Sequence, residues 1–294
     1  MNYREHLQKE AYSITTVASY LVEIKKFKIW CKRNHYETET IDYKATLKYT
    51  KYLTRKGNSK KTVNHKLAIL KSYFNYLVKE HYRLDNPAES IVIKGIKRKL
   101  YYNLLEAEEL EDLYYSFSTK NIKDPYHRLT AKRNKIIVGL MVYQGLTTNA
   151  LIRLELEHIE IYKGKVHVPK TARSNTRELE LKSWQVIELL EYIKEVREEI
   201  KERKHIESER LFIPNNARLG NTILHIIKKL KKYNHKVENI HQIRASVITN
   251  WTKQYNLRKA QYLSGHRYIS STEKYLQDDL ENMQEVINLY HPIS

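Results

Sequence analysis

Cysteine is almost absent from this 294-residue chain, with Cys31 standing alone. A single thiol excludes internal disulfides and any cysteine-based zinc site. Long apolar runs are missing as well. No stretch approaches the ~20 apolar residues that cross a bilayer, and none follows Met1-Asn2-Tyr3-Arg4-Glu5, so neither a membrane span nor a signal peptide is expected. Glycine is scarce, with seven residues, and none of them builds a Gly-rich phosphate loop. An acidic metal-ligand cluster is lacking too. There is no internal repeat and no low-complexity segment. The expectation is a cytoplasmic protein that uses no metal and no cofactor.

Acidic residues are outnumbered: 34 Asp+Glu face 53 Lys+Arg, a net charge of +19. An excess of that size points to nucleic acid or an anionic membrane surface. The charge is uneven. Residues 1–100 hold 22 Lys+Arg and 9 Asp+Glu, and residues 101–294 hold 31 and 25, so the first third is the stronger grip on phosphates. Apolar residues make up 41% of the chain, enough for real cores. The length fits one large domain or two ordinary ones.

Residues 12–34 place Tyr20, Leu21, Ile24, Phe27 and Trp30 at spacings of three and four, which predicts an amphipathic helix. A second helix opens at Thr40-Ile41-Asp42-Tyr43 and runs to about Leu53. Lys56-Gly57-Asn58-Ser59 then breaks the chain, with Gly57 as C-cap. From Lys60-Lys61-Thr62 to near Tyr82, Val63, Leu67, Leu70, Tyr73, Phe74 and Leu77 share one helical face. Residues 1–93 therefore read as a small helical, DNA-binding domain. Its basic edge comprises Arg55, Lys60, Lys61, Thr62 and Lys66 around a helix start, where backbone N–H groups and lysines suit phosphate. Residues 94–103 read as a basic linker laid along DNA, with Lys97 and Arg98 as contacts.

The second domain spans 104–294. Helices are expected at 106–117, Thr130–Gln144, Thr148–Leu156, 184–204, 220–233, Asn239–Tyr255, Arg258–Leu263 and Glu273–Tyr290. Lys165-Val166-His167-Val168-Pro169 and Arg177-Glu178-Leu179-Glu180-Leu181 alternate as strands do, and the small polar residues 171–176 between them predict a hairpin. The fold class is thus mainly α with a small β-sheet.

The chemistry concentrates near the C-terminus. His241-Gln242-Ile243-Arg244 sets an imidazole and a guanidinium one helical turn apart, on one face. Gly265-His266 follows, and Tyr275 lies nine residues beyond His266. Phosphodiester cleavage needs a nucleophile, positive charge around the non-bridging oxygens and a proton for the leaving oxygen. Tyrosine, arginine and histidine supply these without metal. A covalent phosphotyrosine keeps the bond energy, so ATP is not required for resealing.

His-x-x-Arg, Gly-His and a tyrosine nine residues on resemble the C-terminal signature of the tyrosine recombinases, the phage-integrase and Xer-like family. The helical N-terminal layout resembles that family's SAM-like core-binding domain, and residues 104–294 its catalytic domain. The resemblance implies Tyr275 as nucleophile, with Arg244, His241 and His266 around the phosphate. It also implies Lys170, at the end of the first hairpin strand, as the proton donor to the leaving oxygen. A tetramer on two double-stranded DNA sites is implied in the same way, as is a tail helix over Leu280–Tyr290 that docks on a neighbouring subunit or on its own domain. One departure stands out: Gln144-Gly145-Leu146-Thr147 carries threonine where the family's Gly-Leu-Arg has a second clamp arginine. Arg173 is expected to replace it, with Arg177 second, and Arg153 lies too far along the next helix. The resulting expectation is a site-specific recombinase or integrase associated with the nucleoid. Two alternatives are a catalytically weak accessory DNA-binding protein, motivated by Thr147, and a type IB topoisomerase-like enzyme.

Overall fold

The computed structural model describes residues 2–96, 103–171, 174–214 and 218–276. The chain divides into two compact units, Met1–Lys99 and Leu100–Ser294. The first is helical: α1 (Tyr3–Lys9), α2 (Ile14–Arg33), α3 (Tyr43–Arg55) and α4 (Lys60–Lys79). Asn2, Ser13, Asp42 and Ser59 cap their N-termini, each side-chain oxygen accepting from a backbone N–H of the first turn. The Asp42 cap starts α3 at Tyr43, three residues past Thr40, where the helix was expected to open. Gly57 adopts φ +79 after α3, the left-handed turn that glycine tolerates. Phe27, Ile69 and Phe74 are wholly buried between α2 and α4. Helix α1 was not expected: at seven residues it is too short to display a period, and a capping box between Asn2 and Glu5 sets it instead.

The second unit runs α5 (Ala107–Ser116), α6 (Pro125–Val142), α7 (Thr148–Arg153), β1 (Ile159–Glu160), β2 (Lys165–Val168), β3 (Arg177–Glu180), α8 (Ser183–Glu191), α9 (Arg197–Lys204), α10 (Leu219–Tyr233), α11 (Ile240–Gln254) and α12 (Leu257–Ser264). A further helical stretch covers 270–276, and the expected continuation towards Tyr290 lies outside the described residues. The core surrounds α6, whose Ile137, Val138, Leu140 and Met141 are almost fully buried. Three expected helices differ. The one at Thr130–Gln144 starts five residues early, at Pro125 after its Asp124 cap. The one at Thr148–Leu156 ends at Arg153, because Leu154 leaves the helix to accept a hydrogen bond from Leu211 N at 2.9 Å. The one at 184–204 contains a π-helical turn at Tyr192–Val196, within which the Tyr192 hydroxyl donates to Leu211 O at 2.8 Å.

The sheet is antiparallel in order β1-β2-β3, with Val166 opposite Leu179 and Val168 opposite Arg177. Strand β1 was not expected, since two residues carry no alternation. Along β3, Arg177 and Leu179 are buried while Glu178 and Glu180 are exposed, the two-residue period of a strand with one covered face. The hairpin is fastened to the end of α12. Asn175 N donates to Gly265 O at 2.9 Å, Ser174 bridges to His266, and Glu178 N donates to the Tyr262 hydroxyl at 3.1 Å. The Gln144 amide reaches from beyond α6 to Glu180 O at 2.8 Å. Among the described residues no helix is long and apolar enough to cross a membrane.

Candidate active site

Helix α11 presents Arg244 towards the end of α12, where Gly265 ends the helix in the left-handed conformation, φ +69. The Arg244 guanidinium donates to Gly145 O at 2.7 Å and to Ser264 O at 2.6 Å. Two carbonyls thus fix its plane, and no carboxylate among the described residues pairs with it. Desolvation lowers the Arg244 pKa, and the neighbouring Tyr275 phenol opposes that effect. A guanidinium so held is a preorganised donor for a phosphate oxygen.

His266 follows Gly265 in a tight turn. Its Nδ1 lies 2.9 Å from Oγ1 of the fully buried Thr272, which sets the ring orientation and turns Nε2 away from that contact. The His266 ring stacks on Tyr275, with centroids 5.8 Å apart and planes 9° from parallel. Burial first, then Arg244 and Arg177, push the His266 pKa down to about 4. The ring is therefore neutral at physiological pH until an anion offsets the two cations. Tyr275 is half-buried in the helical stretch 270–276.

Arg177, expected second to Arg173 as the replacement clamp, lies beside this pair of Arg244 and His266. It is 3% exposed, and its charge acts on both Arg244 and His266. Burial, with Arg244 adding repulsion, pulls its pKa down to about 9. Strand alternation alone could have signalled an inward-facing arginine, since residues 177 and 179 must share a face.

The other expected residues fall less centrally. Lys170 is exposed just beyond β2. His241 lies on α11 one turn before Arg244, exposed, with no side-chain hydrogen bond among the described residues. Arg173, Lys97 and Arg98 lie outside the described residues. Thr147 serves as the N-cap of α7, its Oγ1 accepting from Ala150 N at 3.3 Å. In the first unit Arg55, Lys60, Lys61 and Thr62 are exposed at the α3–α4 turn. Lys66 departs from the expected basic edge, because its ammonium pairs with Glu23 at 3.4 Å and is mostly covered. Sequence reading also missed Thr272 and the Gly145 and Ser264 carbonyls, which carry no motif of their own. Glu155, Glu157 and His158 come within reach of one ion, but Glu155 is paired with Arg210 at 2.9 Å and His158 Nδ1 accepts from Glu155 N.

Residues 103–282 match the phage integrase family and residues 1–81 match the phage integrase N-terminal SAM-like domain. The tyrosine recombinase XerC of Thermodesulfovibrio yellowstonii is 26% identical over 301 residues, covering all of this chain and 96% of that protein. The tyrosine recombinase XerD of Vibrio vulnificus is 25% identical, covering 94% of this chain and 89% of its own. Among solved structures, the XerH recombinase bound to palindromic difH in a post-cleavage complex superposes with a TM-score of 0.70 at 18% identity, over 98% of this chain and 84% of its own. A lambda integrase dimer bound to a COC′ core site gives 0.64 at 16% identity, over 94% and 75%. At these identities the structural likeness speaks for the fold.

Proposed function

The chain belongs to the phage integrase family, and from that membership we propose that it is a site-specific tyrosine recombinase acting on double-stranded DNA. The observation that carries the assignment of residues is the cluster of Arg244, His266 and Tyr275, with the imidazole stacked on the phenol at 5.8 Å. The Tyr275 oxygen attacks the scissile phosphorus, forming a P–O bond to tyrosine as the P–O bond to the leaving DNA strand breaks. Arg244 holds a non-bridging oxygen, and His266 hydrogen-bonds the same phosphate or takes the phenolic proton. Lys170 protonates the departing DNA oxygen, and His241 adds a second hydrogen bond to the phosphate. Attack by a DNA hydroxyl on the phosphotyrosine reverses the step and reseals a strand, so the bond count balances without ATP.

In this reading residues 1–93 grip the duplex through Arg55, Lys60, Lys61 and Thr62, and residues 94–103 connect the two domains along the DNA. Four protomers assemble on two sites, and the work is done at the nucleoid. The test is covalent capture. Wild type and Tyr275→Phe are expressed in a host carrying the gene's native flanking DNA, denatured in SDS, and DNA attached to protein is sequenced. Adducts with wild type alone are expected, and they map the cut site. DNA binding without adducts from either protein would refute the reading in favour of an accessory DNA-binding role.

A further inference from the structure

We propose that Arg177 is a second phosphate-binding guanidinium of the reaction centre, gripping the scissile phosphate together with Arg244. The inference rests on the phosphoryl-transfer reading above. Its support is geometric, and it comes from comparing the buried arginines of one domain. Among the described residues of the second unit three arginines are almost wholly enclosed: Arg133, Arg177 and Arg197, at 0%, 3% and 1% exposure. Two of them are satisfied by the protein. Arg133 donates to Ile213 O at 2.6 Å and to the Asn134 side chain. Arg197 donates to Arg210 O at 3.1 Å and to Ser208 O, and pairs with Glu198 at 2.6 Å. Those two anchor the chain around 208–213.

Arg177 has none of this. Its Nε is a buried donor without an acceptor, and among the described residues its guanidinium makes no hydrogen bond and no ion pair. The nearby charge is a second cation, Arg244, and among the described residues Tyr262 favours its charge. The acidic residues of the same strand cannot help, because Glu178 and Glu180 point to the exposed face and Glu178 already meets Lys165 at 3.2 Å. A buried cation without a counter-charge is costly, and it persists where a ligand supplies the missing anion. Two guanidiniums beside His266 and Tyr275 make the missing partner a dianion-like phosphoryl group at the point of attack.

The backbone around Arg177 is shaped to admit it. A Cβ on residue 265 would lie 2.5 Å from Arg177 Nη1 and 3.1 Å from Cζ, so glycine leaves the guanidinium its place. Hydrogen bonds from the hairpin to Gly265 and Tyr262 hold the strand in register against that turn. Thr147, occupied as a helix cap, brings no charge to the cluster. Arg177 therefore takes the clamp role expected first of Arg173.

The experiment uses the full chain and a nicked duplex carrying the cut site recovered by covalent capture, with adduct formation as the readout. Arg177→Met and Arg177→Lys are compared with wild type on a normal phosphate and on a neutral methylphosphonate at the scissile position. Arg153→Ala, at an exposed position on α7 set apart from the site, serves as the control. On the phosphate, Arg177→Met is expected to lose about 10²–10³-fold in cleavage rate with duplex affinity within a few-fold of wild type. Arg177→Lys, keeping a charge but not the fork, falls between. On the methylphosphonate the gap between Arg177→Met and wild type shrinks to within about tenfold, since one of the charges the guanidinium neutralises is gone. A merely structural arginine would not show that rescue. Near-wild-type cleavage by Arg177→Met on the phosphate, or an unchanged gap on the methylphosphonate, overturns the inference while leaving the recombinase reading intact. Failure of wild type to form any adduct overturns the recombinase reading itself, and the inference with it.

Discussion

Replacing Arg177 with methionine should stabilise the protein in the absence of anions, against the usual outcome for a buried residue. Methionine keeps most of the aliphatic stem and removes the charge. Burial and Arg244 lower the Arg177 pKa to about 9, roughly three and a half pH units below a free guanidinium. At about 1.36 kcal/mol per pH unit, that corresponds to a ceiling of about 5 kcal/mol of unfavourable charge. Relaxation and water entry reduce it, and swapping buried ionic groups for apolar ones of similar volume gains about 1–4 kcal/mol in measured cases. A gain of about 1–2 kcal/mol is therefore expected, which for a domain of this size is about 2–8 °C in Tm.

The sign follows from proton linkage. A base whose folded pKa lies below its unfolded one binds more protons unfolded, between pH 9 and the ordinary guanidinium value, so stability rises with pH through that window. Below pH 9 the full penalty is present, and a melt at pH 7.5 reads it. Scanning calorimetry of the full chain in chloride buffer gives the base comparison. Adding inorganic sulfate should raise the wild-type Tm more than that of Arg177→Met, because the variant keeps only Arg244 of the two guanidiniums at the anion site. A Tm for Arg177→Met several degrees below wild type, with equal sulfate responses, would show that the guanidinium holds the fold together and would refute the reasoning.

Three further outcomes are expected. NMR titration of His266 should give a midpoint near 4 in the free protein, because burial and the two arginines disfavour the imidazolium, and the midpoint should move upward when DNA phosphate is bound; since the folded pKa is depressed, stability falls as pH drops from about 6.5 towards 4, and a free-protein midpoint near 6.5 would contradict the geometry. Gly265→Ala forces a Cβ to within 2.5 Å of Arg177 Nη1 at φ +69, so single-turnover cleavage should fall at least about tenfold while duplex binding in a gel-shift assay stays close to wild type. Lys60→Ala and Lys61→Ala should each weaken DNA binding and reduce the slope of log K against log[salt] by about one, whereas Lys66→Ala should change it less, because Glu23 already sits 3.4 Å from that ammonium.

Much of the local structure was readable from periodicity. The faces of α2 and α4, the hairpin strands at 165–168 and 177–180, and the start of α12 follow from repeats of 3.6 and 2 that a core-facing element must carry. Elements too short to express a period, α1 and β1, were not legible. Helix ends set by distant partners were misjudged, as at Leu154, where the chain exchanges its helical bonds for pairing with Leu211. The Gly265-His266 and Tyr275 spacing identified the chemistry because those groups lie within one short segment.

By itself the sequence determined which reactive groups the chain possesses, their order, and the family they belong to. It could not show that Arg177 is buried beside Arg244. That depends on how the hairpin docks on the Gly265–His266 turn, a contact between residues some 90 positions apart in the chain. It could not show that Thr147 is used as a cap, that Lys66 pairs with Glu23, or that burial and two arginines lower the His266 pKa. Each of these rests on desolvation and on charges brought together across the fold. Such effects depend on distance and burial, which neighbours along the chain do not record, and only the tertiary structure fixes them.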